Sequence, residues 1–380
     1  MIVWIHSPFD NLPEEGYRKQ RYRLLAEAFA RSGASVRYWT SDFNHGTKAK
    51  RRMIDAIPEN GITHHLIETE PYTQNVSFAR VRSHRLYARR LAQTMRELLA
   101  AHPDAAPDLI VSATPTLGAS AALLTLAREI GARFVLDIQD AWPETFARIL
   151  PRGLRFFAPL VFAPLYRTAR RLYREADAVR GVSTRYAAIC RRSDYRVFYH
   201  GIEREDETER TTTRGRTKLV YLGNLGEGYD LETVLRAMTR RADLTLDIAG
   251  KGPREESLRR LSAELALSDR VRFHGYLGRD AARKLMSETH VGIIPMRDDS
   301  WVGLPYKLAD YLSAGLYVVS SLHGECGELL ERENSGRVYD FASCESFLEA
   351  LDGLDPAVSV HLPDALEARQ IYDAYLQSLV

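Results

Sequence analysis

The chain has 380 residues, 45% hydrophobic and 27% charged, which is the balance of a folded globular protein and excludes a disordered or fibrous one. This length favours two domains, and a formal net charge of +2 argues against bulk nucleic-acid binding. The three cysteines, Cys190, Cys326 and Cys344, match neither a disulfide framework nor a zinc-ligand spacing, so a reducing, cytoplasmic setting is expected.

The first half alternates short β-branched runs with longer helical patterns. Strands are predicted at residues 2–6, 35–41, 63–68, 109–113, 134–138, 178–182 and 196–200. Helices are predicted over residues 17–32, 79–101 and 116–130. This alternation predicts a parallel sheet covered on both faces, in a first domain of residues 1–201. The first strand carries no secretory signal pattern, and no apolar run approaches the ~20 residues that span a bilayer.

Residues 152–177, RGLRFFAPLVFAPLYRTARRLYREAD, interleave arginine with phenylalanine, leucine and valine. The two prolines argue against one continuous helix, so a helical hairpin or a kinked pair of helices is predicted. Basic residues beside apolar ones are typical of a segment that lies on an anionic membrane without crossing it. That interpretation implies a peripheral protein on the inner face of the membrane. A core-packed helix with its arginines in solvent is the alternative, and both stay open.

Residues 202–216, IEREDETERTTTRGR, contain almost no apolar side chains and are predicted to be a linker. The alternation then restarts, which predicts a second doubly wound domain over residues 217–362. Its strands are predicted at residues 219–222, 244–249, 271–275, 292–295, 317–320 and 336–339, with helices beginning near residues 230, 254, 280, 304 and 344. Ligands bind outside the carboxyl ends of such strands, which are expected to face each other across a cleft. A last helix, within residues 363–380, is predicted to pack back across the domain junction.

Three predicted strands of the second half end in glycine-containing turns: GNLG (223–226), AGKGP (249–253) and HGYLG (274–278). Glycine at a strand end lets backbone N–H groups approach a phosphate, and a following helix N-terminus favours its charge. Lys251 is a candidate phosphate ligand, and Tyr276 or Leu277 would pack on a nucleobase. The candidate ligand-binding residues of these turns are Gly223, Asn224, Gly226, Lys251, Gly252, Tyr276 and Leu277. Ordinary tight turns and a solvated lysine are the alternatives.

The stretch GLPYKLAD (303–310) reads as a loop that ends at a helix start, with Pro305 in the first turn. Lys307 and Asp310 are three residues apart and project from one face of that helix. A lysine near a helix N-terminus is unfavourable unless an anion binds there. Lys307 is therefore predicted to bind a diphosphate, and Asp310 to accept hydrogen bonds from ribose hydroxyls. A surface Lys–Asp pair is the alternative.

The run PYKLADYLSAG, with LDIAGKGP and RVRFHGYLG before it and YVVSSLHGECGELL after it, resembles the donor half of glycosyltransferase family 4 over roughly residues 217–340. The pattern Pro-x-Lys-Leu-x-[Glu/Asp]-Tyr-x-x-x-Gly is most similar to its bacterial cell-surface polysaccharide branch. The resemblance implies a GT-B architecture, two Rossmann-like α/β domains, and retaining transfer of a sugar from a nucleotide-sugar donor, a UDP-sugar first among them. The expected acceptor is a glycan or, under the membrane interpretation of residues 152–177, a lipid-linked sugar. It also adds Glu325 to the donor-binding residues.

The sequence departs from this family pattern at two places. The usual basic pair after the first strand of the second domain is replaced by Asn224 and by the pair Gly228-Tyr229, so Lys307 is expected to carry more of the charge neutralisation. The first acid of the family's paired motif would fall near Val302, which is not acidic. No Asp-x-Asp metal motif is evident, so neither a metal nor a cofactor is expected, and the nucleotide sugar is a substrate.

In the first half, VLDIQDAWPE (135–144) resembles the segment Asp-x-x-Asp-x-Trp-Pro-Glu of the same branch. Gln139 stands where many members carry a histidine that faces the donor sugar; it can hydrogen-bond a sugar hydroxyl but cannot act as a general base. Asp140 is the candidate for positioning the acceptor hydroxyl, with an N-cap role as the alternative. With Lys307, these two residues form the predicted catalytic set. His6, Tyr17 and Arg18 are candidates for binding an acceptor phosphate. For Tyr17 and Arg18, at the predicted helix start, a solvated helix face fits equally.

Two other functions stay open at this point. A non-hydrolysing sugar-nucleotide 2-epimerase shares the architecture and the donor, and a two-domain sugar-binding protein would close on its ligand without chemistry.

Overall fold

The computed structural model describes residues 1–15, 18–52, 57–74, 77–204, 215–355 and 359–379. They form two compact units: a first unit of Met1–Tyr199 with Ile371–Val380, and a second unit of His200–Gln370.

The first unit contains an eight-stranded sheet and a short separate ribbon. Its strands are β1 (Ile2–His6), β2 (Ser35–Ser41), β3 (Phe43–Asn44), β4 (Ala49–Lys50), β5 (Ile57–Glu59), β6 (Ile62–Ile67), β7 (Leu109–Ala113), β8 (Arg133–Ile138), β9 (Ala178–Gly181) and β10 (Arg196–Val197). Its helices are α1 (Arg21–Arg31), α2 (Phe78–Ala101), α3 (Leu117–Ile130), α4 (Ala158–Val161), α5 (Ala163–Glu175) and α6 (Thr184–Ala187). The sheet order is β10-β9-β8-β7-β1-β2-β6-β5, with β5 antiparallel to β6, while β3 and β4 form the antiparallel ribbon.

The central strands of this sheet are buried on both faces because helices cover both sides. Trp4, Ile110 and Phe134, on β1, β7 and β8, are all fully buried. Such strands read as continuous apolar runs instead of alternating ones, which is why the sequence revealed them.

A buried ion pair fixes the start of α1 to the end of β8. The guanidinium of Arg21 donates to the carboxylate of Asp137 at 2.9 Å, and both side chains are fully buried. Arg21 also donates to the carbonyl oxygens of Phe198 and Tyr199 at 2.6 and 3.1 Å. Asp137 thus has a structural partner inside the sheet. It lies on β8, two residues before the candidate Gln139 and three before Asp140.

The second unit is built on a six-stranded, fully parallel sheet. Its strands are β11 (Thr217–Leu222), β12 (Leu244–Ala249), β13 (Val271–Gly275), β14 (Val291–Ile294), β15 (Tyr317–Ser320) and β16 (Gly336–Val338). Its helices are α7 (Leu231–Met238), α8 (Glu255–Glu264), α9 (Arg279–Ser287), α10 (Tyr306–Ser313), α11 (Glu325–Arg332) and α12 (Cys344–Leu351), and α13 (Ala368–Gln377) follows. The strand order is β13-β12-β11-β14-β15-β16. The chain fills the sheet outward on both sides from the neighbours β11 and β14, and doubly wound folds bind their ligands at such a switch point.

The predicted fold class, two doubly wound α/β domains, is confirmed. Each predicted strand is present within about three residues of its bounds, whereas the short strands β3, β4 and β5 were not predicted. The first helix begins at Arg21 instead of residue 17. Most of the predicted linker, residues 205–214, lies outside the described residues. Residues 371–380 belong to the first unit and residues 363–370 to the second; the packing of the last helix across the junction stays a prediction.

The arginine-rich segment is broken into short helical pieces. A 3₁₀ helix (Arg152–Phe157) and α4 precede α5, with the break at Phe162. In α5, Ala169, Leu172 and Tyr173 are buried while the arginines are exposed, which is the core-packed alternative for this part of the segment. The preceding turns differ, because Leu154, Phe156, Phe157, Leu160 and Val161 are exposed.

Candidate active site

The strand ends of the second unit approach one another at backbone distance. Gly223 and Gly250 have φ angles of 135° and 153°, which side-chain-bearing residues rarely adopt. A Cβ atom on Gly250 would lie 1.8 Å from the carbonyl oxygen of Gly223, and one on Gly252 would lie 2.4 Å from that of Leu225. The Gly223 N–H donates to the carbonyl of Ala249 at 2.8 Å. The glycines are required because no side chain fits between β11 and β12 here.

Lys307 lies directly against this glycine contact. It is the second residue of α10, whose N-cap is Pro305. Its ammonium donates to the hydroxyl of Tyr221 at 3.1 Å and lies 3.7 and 4.3 Å from the ring centroids of Tyr229 and Tyr221. A Cβ atom on Gly223 would lie 2.6 Å from Lys307 Cε. Burial lowers the pKa of Lys307 to about 7, against a smaller opposing effect of the Asp310 charge.

Helix α10 is held in place by Tyr311. Its ring packs where Gly292 has no side chain, since a Cβ atom there would lie 2.4 Å from the ring. The hydroxyl of Tyr311 accepts a hydrogen bond from the Leu222 N–H at 2.9 Å. One glycine on β14 and one buried tyrosine therefore set the distance from α10 to the end of β11, and with it the place of Lys307.

The other candidates of the second unit lie on loops or helix starts after β11, β12, β13 and β15. Asn224 and Lys251 are exposed, Tyr276 is 62% exposed and Leu277 is half-buried. Glu325 is the first residue of α11. These placements agree with ligand binding at the carboxyl ends of the strands, and each assigned role stays a prediction.

In the first unit, Gln139 and Asp140 follow the end of β8 and are fixed by Thr114. The Gln139 N–H donates to Thr114 Oγ1 at 3.2 Å, and Thr114 Oγ1 donates to the carbonyl of Asp140 at 3.3 Å. Burial raises the pKa of Asp140, and the charge of Arg80 partly offsets this. The alternative N-cap role of Asp140 is wrong, because the following 3₁₀ helix has Pro143 at its N-cap.

The three residues near the N-terminus that are candidates for acceptor binding lie in different environments. His6 is fully buried, its Nδ1 lies 3.1 Å from Ser112 Oγ, and burial lowers its pKa to about 3. Arg18 is half-buried in the segment before α1. Tyr17 lies outside the described residues.

Sequence reasoning missed a group of aromatic and basic side chains at the same edge of the first sheet. Its members are Phe9, His45, Tyr72, Arg80, His84 and Trp142. Three of them, Phe9, Tyr72 and His84, line a cavity together with Thr69, Ser83 and Thr116. The group comes from five separate loops and helices, so no local spacing reveals it; Trp142, within the family-like Trp-Pro-Glu motif, was its one visible member.

Two family models match the chain. Residues 19–197 match a glycosyl transferase 4-like domain and residues 216–354 match glycosyl transferases group 1, together about four fifths of the chain. A similar curated protein is a putative colanic acid biosynthesis glycosyltransferase, WcaL, from Escherichia coli, at 25% identity over 181 residues. That match covers 44% of this chain and 45% of the relative, so the chain is aligned with less than half of that protein.

Similar solved structures share the whole fold at low identity. A sucrose-phosphate synthase from Thermosynechococcus elongatus has a TM-score of 0.69 at 15% identity, covering 100% of this chain and 96% of the other. Alr3699/HepE from Anabaena, solved with UDP and glucose, has a TM-score of 0.64 at 14% identity, covering 100% and 99%. Among the residues described, no helix is both long and apolar enough to cross a membrane.

Proposed function

We propose that this chain, which belongs to glycosyltransferase family 4, transfers a sugar from a nucleotide-diphosphate sugar, most favourably a UDP-sugar, to a hydroxyl of a glycan or lipid-linked sugar, with retention at the anomeric carbon. The product would belong to polysaccharide or glycoconjugate biosynthesis. The Escherichia coli relative, named as a putative colanic acid biosynthesis glycosyltransferase, supports this assignment.

The observation that carries this proposal is the position of Lys307. A lysine with a lowered pKa lies at a helix N-terminus, against glycine-only strand ends, at the switch point of a doubly wound sheet. Each of these features favours an anion: the helix end by its dipole, the glycines by exposing backbone N–H groups, and the lysine by its charge. A nucleoside diphosphate satisfies all three at once.

Sugar transfer leaves negative charge on the departing diphosphate, and groups aimed at that charge lower the barrier. Lys307 would be protonated in the complex and would stabilise this charge, because a bound diphosphate raises the pKa of an adjacent ammonium. Asp310, three residues on, would accept hydrogen bonds from the ribose. In the first unit, Gln139 would hydrogen-bond a sugar hydroxyl, and Asp140 would orient the acceptor hydroxyl.

The choice of UDP rests on a relative. The Anabaena structure was solved with UDP and with UDP-glucose, and it shares the fold of this chain at 14% identity or less. A relative named as a putative colanic acid biosynthesis glycosyltransferase supports a saccharide acceptor. The exposed apolar residues between Leu154 and Val161, beside exposed arginines, support a peripheral position on an anionic membrane and thus a lipid-linked acceptor.

The test is a thermal-shift panel of UDP-, GDP-, ADP- and TDP-glucose, followed by a nucleotide-release assay with the best donor. Lys307→Ala should reduce release by at least a hundredfold while the melting temperature without ligand stays within a few degrees, because the change removes a charge that acts mainly on the leaving group. Lys284→Ala, which removes an exposed lysine from α9 of the same unit, is the matched control and should behave like the wild type.

Four results would contradict the proposal as a whole or one part of it. Near wild-type release by Lys307→Ala would remove the assigned role of Lys307. Conversion of the sugar without any acceptor would indicate an epimerase, and ligand binding without hydrolysis or transfer would indicate a binding protein. Inverted anomeric configuration of the product, measured by NMR, would contradict retention alone.

A further inference from the structure

The first unit holds a cluster of aromatic rings around two cations, at the edge of the sheet where the strands end. We call the residues Phe9, His45, Lys48, Tyr72, Arg80, His84 and Trp142 the aromatic–cationic cluster. Phe9 follows β1, Tyr72 follows β6 and Trp142 follows β8, so the parallel topology brings them to one edge. Arg80 and His84 come from the first turns of α2.

The guanidinium of Arg80 is held among three rings. Its central carbon lies 4.8 Å from the ring centroid of Trp142, 5.8 Å from that of Tyr72 and 5.9 Å from that of Phe9. Its Nε lies 3.4 Å from Nε2 of His84. These contacts fix the planar group in place, so a ligand would meet a pre-oriented set of N–H donors.

Lys48 brings the second cation to the same ring. Its ammonium lies 4.9 Å from the centroid of Tyr72 and 3.3 Å from His45 Nδ1. Its backbone has φ 59°, an unfavourable conformation for a lysine. The turn that carries it is fixed, because Asn44 Oδ1 accepts hydrogen bonds from the N–H groups of Gly46 and Thr47 at 2.9 and 3.0 Å. Residues held in an unfavourable backbone conformation cluster at binding and active sites, and this one carries a charge.

Two positive charges act on each other within the aromatic–cationic cluster. Burial lowers the pKa of Arg80, and burial with the Arg80 charge lowers that of Lys48. Burial also lowers the pKa of His45 to about 4 and of His84 to about 3, so both are neutral near pH 7 and serve as hydrogen-bonding groups. The carboxylate whose charge bears on Arg80 is that of Asp140. The charges of Arg80 and Lys48 repel each other, and an anion between them would relieve the repulsion.

We propose that the aromatic–cationic cluster binds the phosphate of a sugar-phosphate acceptor, with Arg80 and Lys48 on the phosphate and the aromatic rings against the sugar. The inference deepens the proposed function and rests on it in naming the ligand an acceptor. A phosphate suits the cluster because it carries up to two charges and several acceptor oxygens, which match two cations and neutral imidazoles. Aromatic walls with a few fixed polar groups are the usual lining of a small-ligand site.

The experiment measures binding of glucose 1-phosphate by calorimetry in saturating UDP, which occupies the donor site and keeps the probe from it. Arg80→Gln should weaken binding at least tenfold and Lys48→Gln about fivefold, since each removes one charged hydrogen-bond donor. Arg85→Gln, which changes an exposed arginine of the same helix, should bind like the wild type. Lys48 lies on a half-exposed turn, so its variant tests the site even if Arg80→Gln fails to fold.

Unchanged binding by Arg80→Gln or Lys48→Gln would overturn the proposal, and so would equal affinity for glucose or glucuronate, which lack phosphate.

A decyl-diphosphate-linked glucose distinguishes the two possible sources of the phosphate, a lipid carrier and a soluble glycan. Tighter binding than glucose 1-phosphate would indicate a lipid-carried acceptor, and equal binding a soluble phosphorylated glycan. Failure of the wild type to release nucleotide from any donor would overturn the proposed function, while phosphate binding that depends on Arg80 would still stand.

Discussion

The environment of Lys307 bears on its proposed role in binding a diphosphate. Its ammonium lies between two tyrosine rings and donates to one hydroxyl. Aromatic faces replace only part of the stabilisation that water gives to an ammonium group. Burial therefore still lowers the pKa of Lys307 to about 7. The unliganded protein therefore holds a half-protonated lysine near neutral pH, and an arriving diphosphate would complete its protonation.

This predicts that UDP-glucose affinity depends on pH in one direction. Below pH 7 Lys307 is protonated before binding, and affinity should be constant. As the pH rises above 7, binding requires Lys307 to take up a proton from solution, so the Kd should increase up to tenfold per pH unit until the pKa of the bound state is reached. Calorimetry between pH 6 and 9 measures the profile.

Lys307→Arg is the control for that profile, because a guanidinium stays protonated throughout the range. Its affinity should be independent of pH, even if lower at pH 7. A flat profile in the wild type would show that Lys307 does not exchange its proton on binding.

At the scale of elements, the glycines at the ends of β11 and β12 act as spacers. Gly250→Ala would place a methyl group 1.8 Å from the Gly223 carbonyl oxygen and force a side chain into a φ of 153°. Both strand ends would have to separate, which should lower the stability of the second unit by about 3 kcal/mol or more. UDP binding should weaken at least tenfold because the same backbone would approach the phosphates.

Gly228→Ala tests whether this effect is specific. A Cβ atom on Gly228 would meet nothing within 4 Å, so its melting temperature should stay close to that of the wild type. Similar melting temperatures for Gly250→Ala and Gly228→Ala would contradict the spacer role.

The elements themselves were predictable wherever burial imposes a pattern. β1, β7 and β8 are continuous apolar runs, and the helix after Pro305 follows a clear start signal, so sequence placed Lys307 and Asp310 on one helix face. The partners of Lys307 were not predictable. Tyr221 and Tyr229 lie 86 and 78 residues away in the chain, and tertiary packing, including that of Tyr311 on Gly292, brings α10 to them. Likewise, local spacing could not reveal a cluster assembled from Phe9, Arg80 and Trp142.

At the scale of the whole molecule, a net charge of +2 hides an uneven distribution. Between residues 152 and 177 there are six arginines, Arg152, Arg155, Arg167, Arg170, Arg171 and Arg174, against two carboxylates, Glu175 and Asp177. Phe156 and Leu160, in the same segment, are 71% and 74% exposed. A basic surface with exposed large apolar side chains is complementary to an anionic bilayer, since each charge near it contributes about 1 kcal/mol and each inserted side chain adds to this.

The protein should therefore co-float with vesicles that contain 30% phosphatidylglycerol and stay in solution with pure phosphatidylcholine. Replacing both Phe156 and Phe157 by serine should reduce the bound fraction at least tenfold, because two exposed apolar groups are lost. Phe78→Ser, at a phenylalanine that is 95% exposed on α2, is the matched control and should float like the wild type. Flotation that survives the double substitution, or that Phe78→Ser abolishes, would place the contact elsewhere on the protein.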